Sequence, residues 1–193
     1  MKSFFLIFAA TFLLSCSDVS ARKGKTGSLH DSRDGKTYKT VKIGSQTWMA
    51  ENLNYDVSGS ACCNNSSSNC QRYGRLYNWA TALTVCPSGW RLPTDAEWTA
   101  LTNHAGGASV AGTKLKANSS LWFTNTGTDD FGFSALPGGN GNSFNVGISG
   151  YWWSATEDDA SDAWYRYMIS DFSDVSRGNY YKENLLSVRC VKD

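Results

Sequence analysis

Apolar and polar positions follow several different rhythms along this chain, and each rhythm predicts an element. Lys2 and the apolar run over residues 4–14 form a charged start and a hydrophobic stretch too short to cross a bilayer as a mature helix, so they read as a signal peptide. Residues 17–30 are small, polar and basic with no apolar period, which predicts a tether. Over residues 37–43, Thr37, Val41 and Ile43 alternate with Lys39-type neighbours while Tyr38 falls out of step, predicting a strand with one wet face. Gly44-Ser45 then turns the chain into Gln46-Thr47-Trp48-Met49, closing a hairpin. Leu76, Trp79, Ala80 and Leu83 follow the i, i+3, i+4, i+7 spacing of a helix within residues 73–84, ended by Cys86-Pro87-Ser88-Gly89. A second helix is predicted over residues 95–105. Pro93 ends an extended segment, Thr94 and Glu97 form a capping box, Trp98, Leu101 and Ala105 make the buried stripe, and Gly106-Gly107 supply the exit. The remainder reads as short strands and turns.

Composition narrows the class. The 193 residues allow one large domain with a single core, and the net charge of +1 gives no basic field to hold nucleic acid. Only 18% of residues are charged while Trp, Tyr and Gly are abundant, which suits turns, short strands and an extracytoplasmic surface. Leu13-Leu14-Ser15-Cys16 resembles a bacterial lipobox, so residues 1–15 are expected to be cleaved and Cys16 to carry lipid. Each buried acyl methylene adds about 0.8 kcal/mol of membrane affinity, and two or three chains make a durable anchor. Ser17 rather than Asp after the lipid-bearing cysteine favours the outer membrane. The expected organisation is a signal peptide over 1–15, a lipidated tether over 16–30 and one domain over 31–193. Five further cysteines, Cys62, Cys63, Cys70, Cys86 and Cys190, lie in a compartment where disulfides persist, so one is odd. Cys62 or Cys63 with Cys70 would staple the Asn- and Ser-rich loop 64–69. The Cys-Cys-x6-Cys spacing fits no zinc knuckle.

Two motifs carry a resemblance. Gly89-Trp90-Arg91-Leu92-Pro93-Thr94-x-Ala96-Glu97-Trp98, with Ser187-Val188-Arg189-Cys190-Val191 at the end, is similar to proteins of the C-type lectin-like fold, in the branch that includes formylglycine-generating enzymes. The runs Asp34-Gly35-Lys36-x-Tyr38, Ile43-Gly44-x-Gln46-x-Trp48-Met49-Ala50-Glu51-Asn52-Leu53, Tyr73-Gly74-Arg75-Leu76-Tyr77-x-Trp79 and Cys86-Pro87-x-Gly89-Trp90 sharpen this. With Phe131-Gly132-Phe133 and Trp152-Trp153-Ser154, they resemble the Fibrobacter succinogenes major paralogous domain, a module of bacterial surface and secreted proteins. The resemblance implies an α+β, C-type lectin-like fold: two helices flanking a twisted, mostly antiparallel sheet whose termini lie close together. It also implies a bridge between Cys86 and Cys190, and Cys62 rather than Cys63 as the partner of Cys70. It names no biochemical activity.

The candidate sites are aromatic and acidic. Tyr151-Trp152-Trp153 and Trp164-Tyr165-Arg166-Tyr167 place rings on neighbouring strands, where Trp152, Trp164, Tyr165 and Tyr167 are candidates for stacking on sugar, although alternation sends at least half of such rings inward. Trp122 and Phe123 fit core packing beneath a long loop. Glu157, Asp158, Asp159 and Asp162 offer hard oxygens suited to calcium, but the chain lacks the Glu-Pro-Asn, Gln-Pro-Asp and Trp-Asn-Asp elements of calcium-dependent lectins, so no metal or other cofactor is assigned. The Gly- and Asn-rich loop 138–147, with Asn140 and Asn142, lacks the Lys-Ser/Thr and following helix of a phosphate loop and reads as a recognition loop, together with 157–162 and 171–179. His30 in the tether and His104 at a helix end make neither a triad nor an iron site. The leading expectation is a non-catalytic binding or adhesion module on the cell envelope, with a polysaccharide or surface protein as ligand. A structural envelope protein, or a divergent formylglycine-generating-like enzyme lacking its usual cysteine pair, are the alternatives.

Overall fold

The computed structural model describes residues 24–124, 127–141 and 145–193. The expected signal peptide, Cys16, most of the tether and Asn142 lie outside them. The fold is α+β, and the described residues form two sheets rather than one. The first runs in the order β1 (Thr26–His30), β2 (Thr37–Ile43), β3 (Gln46–Met49), β11 (Val191–Lys192) and β6 (Trp90–Arg91), with every pair antiparallel. The second runs β4 (Ser60–Ala61), β5 (Leu76–Tyr77), β10 (Leu186–Ser187), β7 (Ser149–Glu157), β8 (Asp162–Ile169) and β9 (Ser176–Tyr181); only the β10–β7 pair is parallel.

The hairpin of β2 and β3 forms as the alternation predicts, with Val41 opposite Trp48 and Ile43 opposite Gln46. Its facing differs: Tyr38 is buried and Thr37 exposed, because both faces of this strand meet packed side chains. Residues 26–30, expected to belong to the tether, are in regular structure. Thr26–His30 is a strand held by ladder pairing to β2, with Leu29 its one buried residue, so backbone hydrogen bonds rather than an apolar stripe place it.

Among the described residues four α-helices stand where two were expected. Asp95–His104 (α3) forms as its capping box dictates: Thr94 Oγ1 accepts the Glu97 N–H at 3.2 Å, and Glu97 Oε2 accepts the Thr94 N–H at 2.8 Å. Ala108–Leu115 (α4) follows after Gly106 and Gly107, both at positive φ. The helix expected over 73–84 shrinks to Trp79–Ala82 (α2), while Ser67–Tyr73 (α1) lies before it. Leu76, which fits the helical spacing, instead lies with Tyr77 in strand β5 (Leu76–Tyr77), because β4 and β10 flank them and supply ladder partners.

Consecutive tryptophans on β7 enter opposite cores, as strand alternation requires. Trp152 joins Trp48, Trp98 and Phe133 on the α3 side, with the Trp48 and Trp98 centroids 5.0 Å apart. Trp153 joins Leu53, Tyr77, Leu92, Leu186 and Val188 on the other. Arg189 sits fully buried between elements, donating to Asn52 Oδ1 at 2.8 and 3.0 Å and to the carbonyls of Met49 and Phe133. Burial pulls its pKa down to about 9, which still leaves it charged at neutral pH. Disulfides join Cys86 to Cys190 and Cys62 to Cys70, leaving Cys63 as the free thiol among the described residues.

Candidate ligand-binding face

Strand alternation on β7, β8 and β9 brings Tyr151, Tyr165, Tyr167 and Tyr180 to one face of the second sheet, all half-buried. Tyr151 lies opposite Tyr167 across the ladder, with centroids 6.0 Å apart and the rings stacked. Tyr165 is the centre of the row: Tyr167 lies 5.5 Å away, Tyr180 5.9 Å, Tyr151 6.0 Å and Trp153 6.4 Å. Opposite Tyr165 the β9 position is Gly178, and a Cβ there would meet the Tyr165 ring at 2.9 Å. The glycine thus lets the central ring lie over the neighbouring strand. Burial and then the neighbouring phenols push the Tyr165 hydroxyl up to about 12, so it remains protonated and able to donate at any physiological pH. Asn145 Nδ2 donates to the Tyr151 hydroxyl at 3.2 Å.

The aromatic residues singled out from sequence divide sharply. Tyr165 and Tyr167 lie in the row, with Tyr165 half-buried among four neighbouring rings. Trp152 is fully buried and its indole N–H donates to Asn52 Oδ1 at 2.8 Å, so it is core and not a stacking platform. Trp164 points to the other face, where the Arg177 guanidinium lies 3.2 Å from its ring centroid and covers one side. Tyr151 and Tyr180 were not among the residues singled out for binding. The period-two pattern of three tyrosine-bearing strands was the available signal, but it needs the β8–β9 register to be read. Trp122 is buried as expected, whereas Phe123, expected to be buried with it, is 80% exposed. Its N–H bonds to Gly147 O, so the backbone is held while the ring stands in solvent.

The opposite face is organised by charge. Arg166 and Arg177 converge on Asp95 at the start of α3, at 2.5 and 3.1 Å. Burial would raise the Asp95 carboxyl, but hydrogen bonds from Arg166 and then Arg177 outweigh it and hold it below the usual carboxylate range. Glu97 is likewise held low, chiefly by Arg91.

The acidic turn is spent on itself and its neighbours. Asp159 Oδ1 accepts the N–H groups of Ser161 and Asp162 at 2.7 and 2.8 Å, Asp158 accepts from Asn179, and Glu157 pairs with Lys182. Among the described residues no group of three or more His, Cys, Asp or Glu is arranged to hold a metal ion. Asn140 is half-exposed, and its carbonyl accepts from the Cys63 thiol at 3.6 Å, while burial pushes that thiol's pKa up and away from nucleophilic use. Residues 176–179 of the expected recognition loop are part of β9.

The loop between β8 and β9 is anchored with unusual thoroughness. Lys116 is fully buried and its ammonium donates to the carbonyls of Ile169, Ser170 and Phe172 at 2.9, 3.1 and 2.7 Å. The Thr113 N–H bonds to Ser173 O and the Val175 N–H to Ala108 O, so α4 backs the same loop. No helix among the described residues is long and apolar enough to cross a membrane. The profile of the Fibrobacter succinogenes major domain matches residues 41–192. No curated protein and no solved structure matches the chain significantly.

Proposed function

This chain belongs to the Fibrobacter succinogenes major domain family, and on that premise we propose that it is a bacterial surface lipoprotein acting as a non-catalytic adhesion module for glycans. The observation that carries the reading is the tyrosine row of Tyr151, Tyr165, Tyr167 and Tyr180 on β7–β9. Tyrosine combines large contact area, low conformational entropy cost and a hydroxyl that both donates and accepts. A row of such groups without formal charge suits an uncharged polyhydroxyl ligand. In this reading Cys16 carries the lipid that holds the module to the envelope, at the outer membrane. The fold is C-type lectin-like, a placement supported by the first and last strands sharing one sheet and by the long-range Cys86–Cys190 bridge.

A protein ligand is the second reading, favoured by Phe123, whose 80% exposure is unusual for a ring tied to a well-bonded backbone. The test is binding of the full-length protein, purified in detergent, to immobilised polysaccharides with and without calcium. Saturable binding that is indifferent to calcium and weakened by Tyr151→Ala and Tyr180→Ala is expected. Absence of binding to every polysaccharide would remove the glycan reading and leave the protein-ligand or structural envelope roles.

A further inference from the structure

We propose that the hollow lined by Tyr167, Ile169, Phe172, Asp174 and Ser176 is a pyranose subsite for neutral sugars, at one end of the tyrosine row, with Lys116 as the residue that positions it. The inference rests on the glycan reading above and gives it a defined first contact. The hollow holds about 200 Å³, the scale of one sugar ring rather than a chain.

Its chemistry is that of a sugar's two aspects. Phe172 is 57% exposed and presents a ring to solvent beside the hollow, where the C–H face of a pyranose can stack. Asp174, Ser176 and Tyr167 supply oxygens that accept from or donate to the ring's hydroxyls, and Ser176 already donates to Asp174, orienting that carboxylate. The carboxylate favours hydroxyl donors and repels an acidic sugar, which sets the ligand class as neutral. Tyr167 belongs to both hollow and row, so a chain seated here continues toward Tyr165 and Tyr180.

The fold also fixes this loop at a cost. An exposed phenylalanine gains nothing from burial, and a fully buried lysine is costly to desolvate, yet the two are joined: the Lys116 ammonium holds the Phe172 carbonyl and two others in the same turn. Burial lowers the Lys116 pKa, opposed by Asp174 and Asp171. Thr124 Oγ1 donates to Asp171 at 2.6 Å, tying a third segment to the loop. The result is a solvent-facing ring on a rigid mount, the arrangement that preorganised binding residues need.

The experiment measures the affinity of the full-length protein in detergent for hydroxyethylcellulose, mannan and dextran as neutral probes and polygalacturonate as the acidic one. Phe172→Ala, a change at an exposed side chain, is expected to weaken neutral-probe binding at least about tenfold with the melting temperature unchanged. Lys116→Met is expected to weaken the same binding, with circular dichroism reporting whether the fold persists; Phe172→Ala remains decisive if it does not. Binding of polygalacturonate in preference to every neutral probe overturns the proposal. Neutral binding that survives Phe172→Ala but is lost in Tyr151→Ala and Tyr180→Ala sinks the subsite and leaves the tyrosine-row reading standing. Failure of all neutral probes on the unaltered protein removes both.

Discussion

Arg189 stands between the Asn52 side chain and the carbonyls of Met49 and Phe133, with its guanidinium 4.5 Å from the Phe133 centroid. Asn52 is the hub of that cluster, since its Oδ1 also accepts from Trp152 and its Nδ2 donates to Tyr73 O. Removing the guanidinium strands several buried acceptors at once, and each orphan costs about 1–3 kcal/mol. Arg189→Ala is therefore expected to lower stability by at least about 3 kcal/mol in urea unfolding. Arg189→Lys should recover only part of this, because one ammonium cannot span the same acceptors. Asp95 sets a pH dependence with a definite sign. Its folded pKa lies below the unfolded value, so its contribution is complete above the unfolded carboxylate pKa and is lost as pH falls through the folded one. Glu97 behaves alike. Urea midpoints should thus be level near neutrality and fall below about pH 4; a midpoint that rose on acidification would contradict this assignment, and Asp95→Asn should flatten the acid slope.

The helices differ in how they are held. α3 carries its own start signal, and Thr94→Ala should cost about 1 kcal/mol by removing one half of the capping box. α4 depends instead on close approach: a Cβ at Gly112 would lie 2.1 Å from Asp174 O. Gly112→Ala is expected to destabilise by about 1–3 kcal/mol in thermal or urea unfolding through that clash. It should also displace the turn bearing Phe172. This contrast explains what the sequence made legible. The hairpin of β2 and β3 and helix α3 are specified by neighbours within a few residues, so pattern and capping sufficed. Leu76 and Tyr77 owe their strand state to Ser60–Ala61 and Leu186–Ser187, and no local rhythm reports partners so distant. The aromatic strands could be read from Tyr151-Trp152-Trp153 and Trp164-Tyr165-Arg166-Tyr167. Which rings were free could not, because Trp152 is claimed by Asn52, and Trp164 is partly covered by Arg177. The β8–β9 turn could be read as part of loop 171–179, but its anchoring could not, since Lys116 lies more than fifty residues before the carbonyls it holds.

The two cystines act over very different lengths of chain. Cys86 and Cys190 are 104 residues apart and Cys62 and Cys70 only 8. Closing loops of those sizes restrains the unfolded chain by about 4.7 and about 2.5 kcal/mol respectively in the chain-entropy account. Cys86→Ser with Cys190→Ser should therefore shift the urea midpoint further than the Cys62→Ser, Cys70→Ser pair, and an equal shift would show that native-state strain dominates. The long bridge also fastens the end of the chain, because Val191 beside it sits in β11 between β3 and β6. At the opposite end, β1 forms the sheet's edge and is hydrogen-bonded to β2 alone. A module held to a surface from its N-terminal side and loaded through its ligand would feel tension first at Lys25, whose carbonyl accepts from the Lys42 N–H. There the ladder opens one pair at a time toward His30, while the cystine-locked body stays intact. Peeling through Lys36 frees about ten residues, or roughly 35 Å of contour, so optical-tweezer traces should show a small low-force extension before the main rupture. β1 would then serve as a mechanical fuse, lengthening the attachment under shear before the binding face is strained.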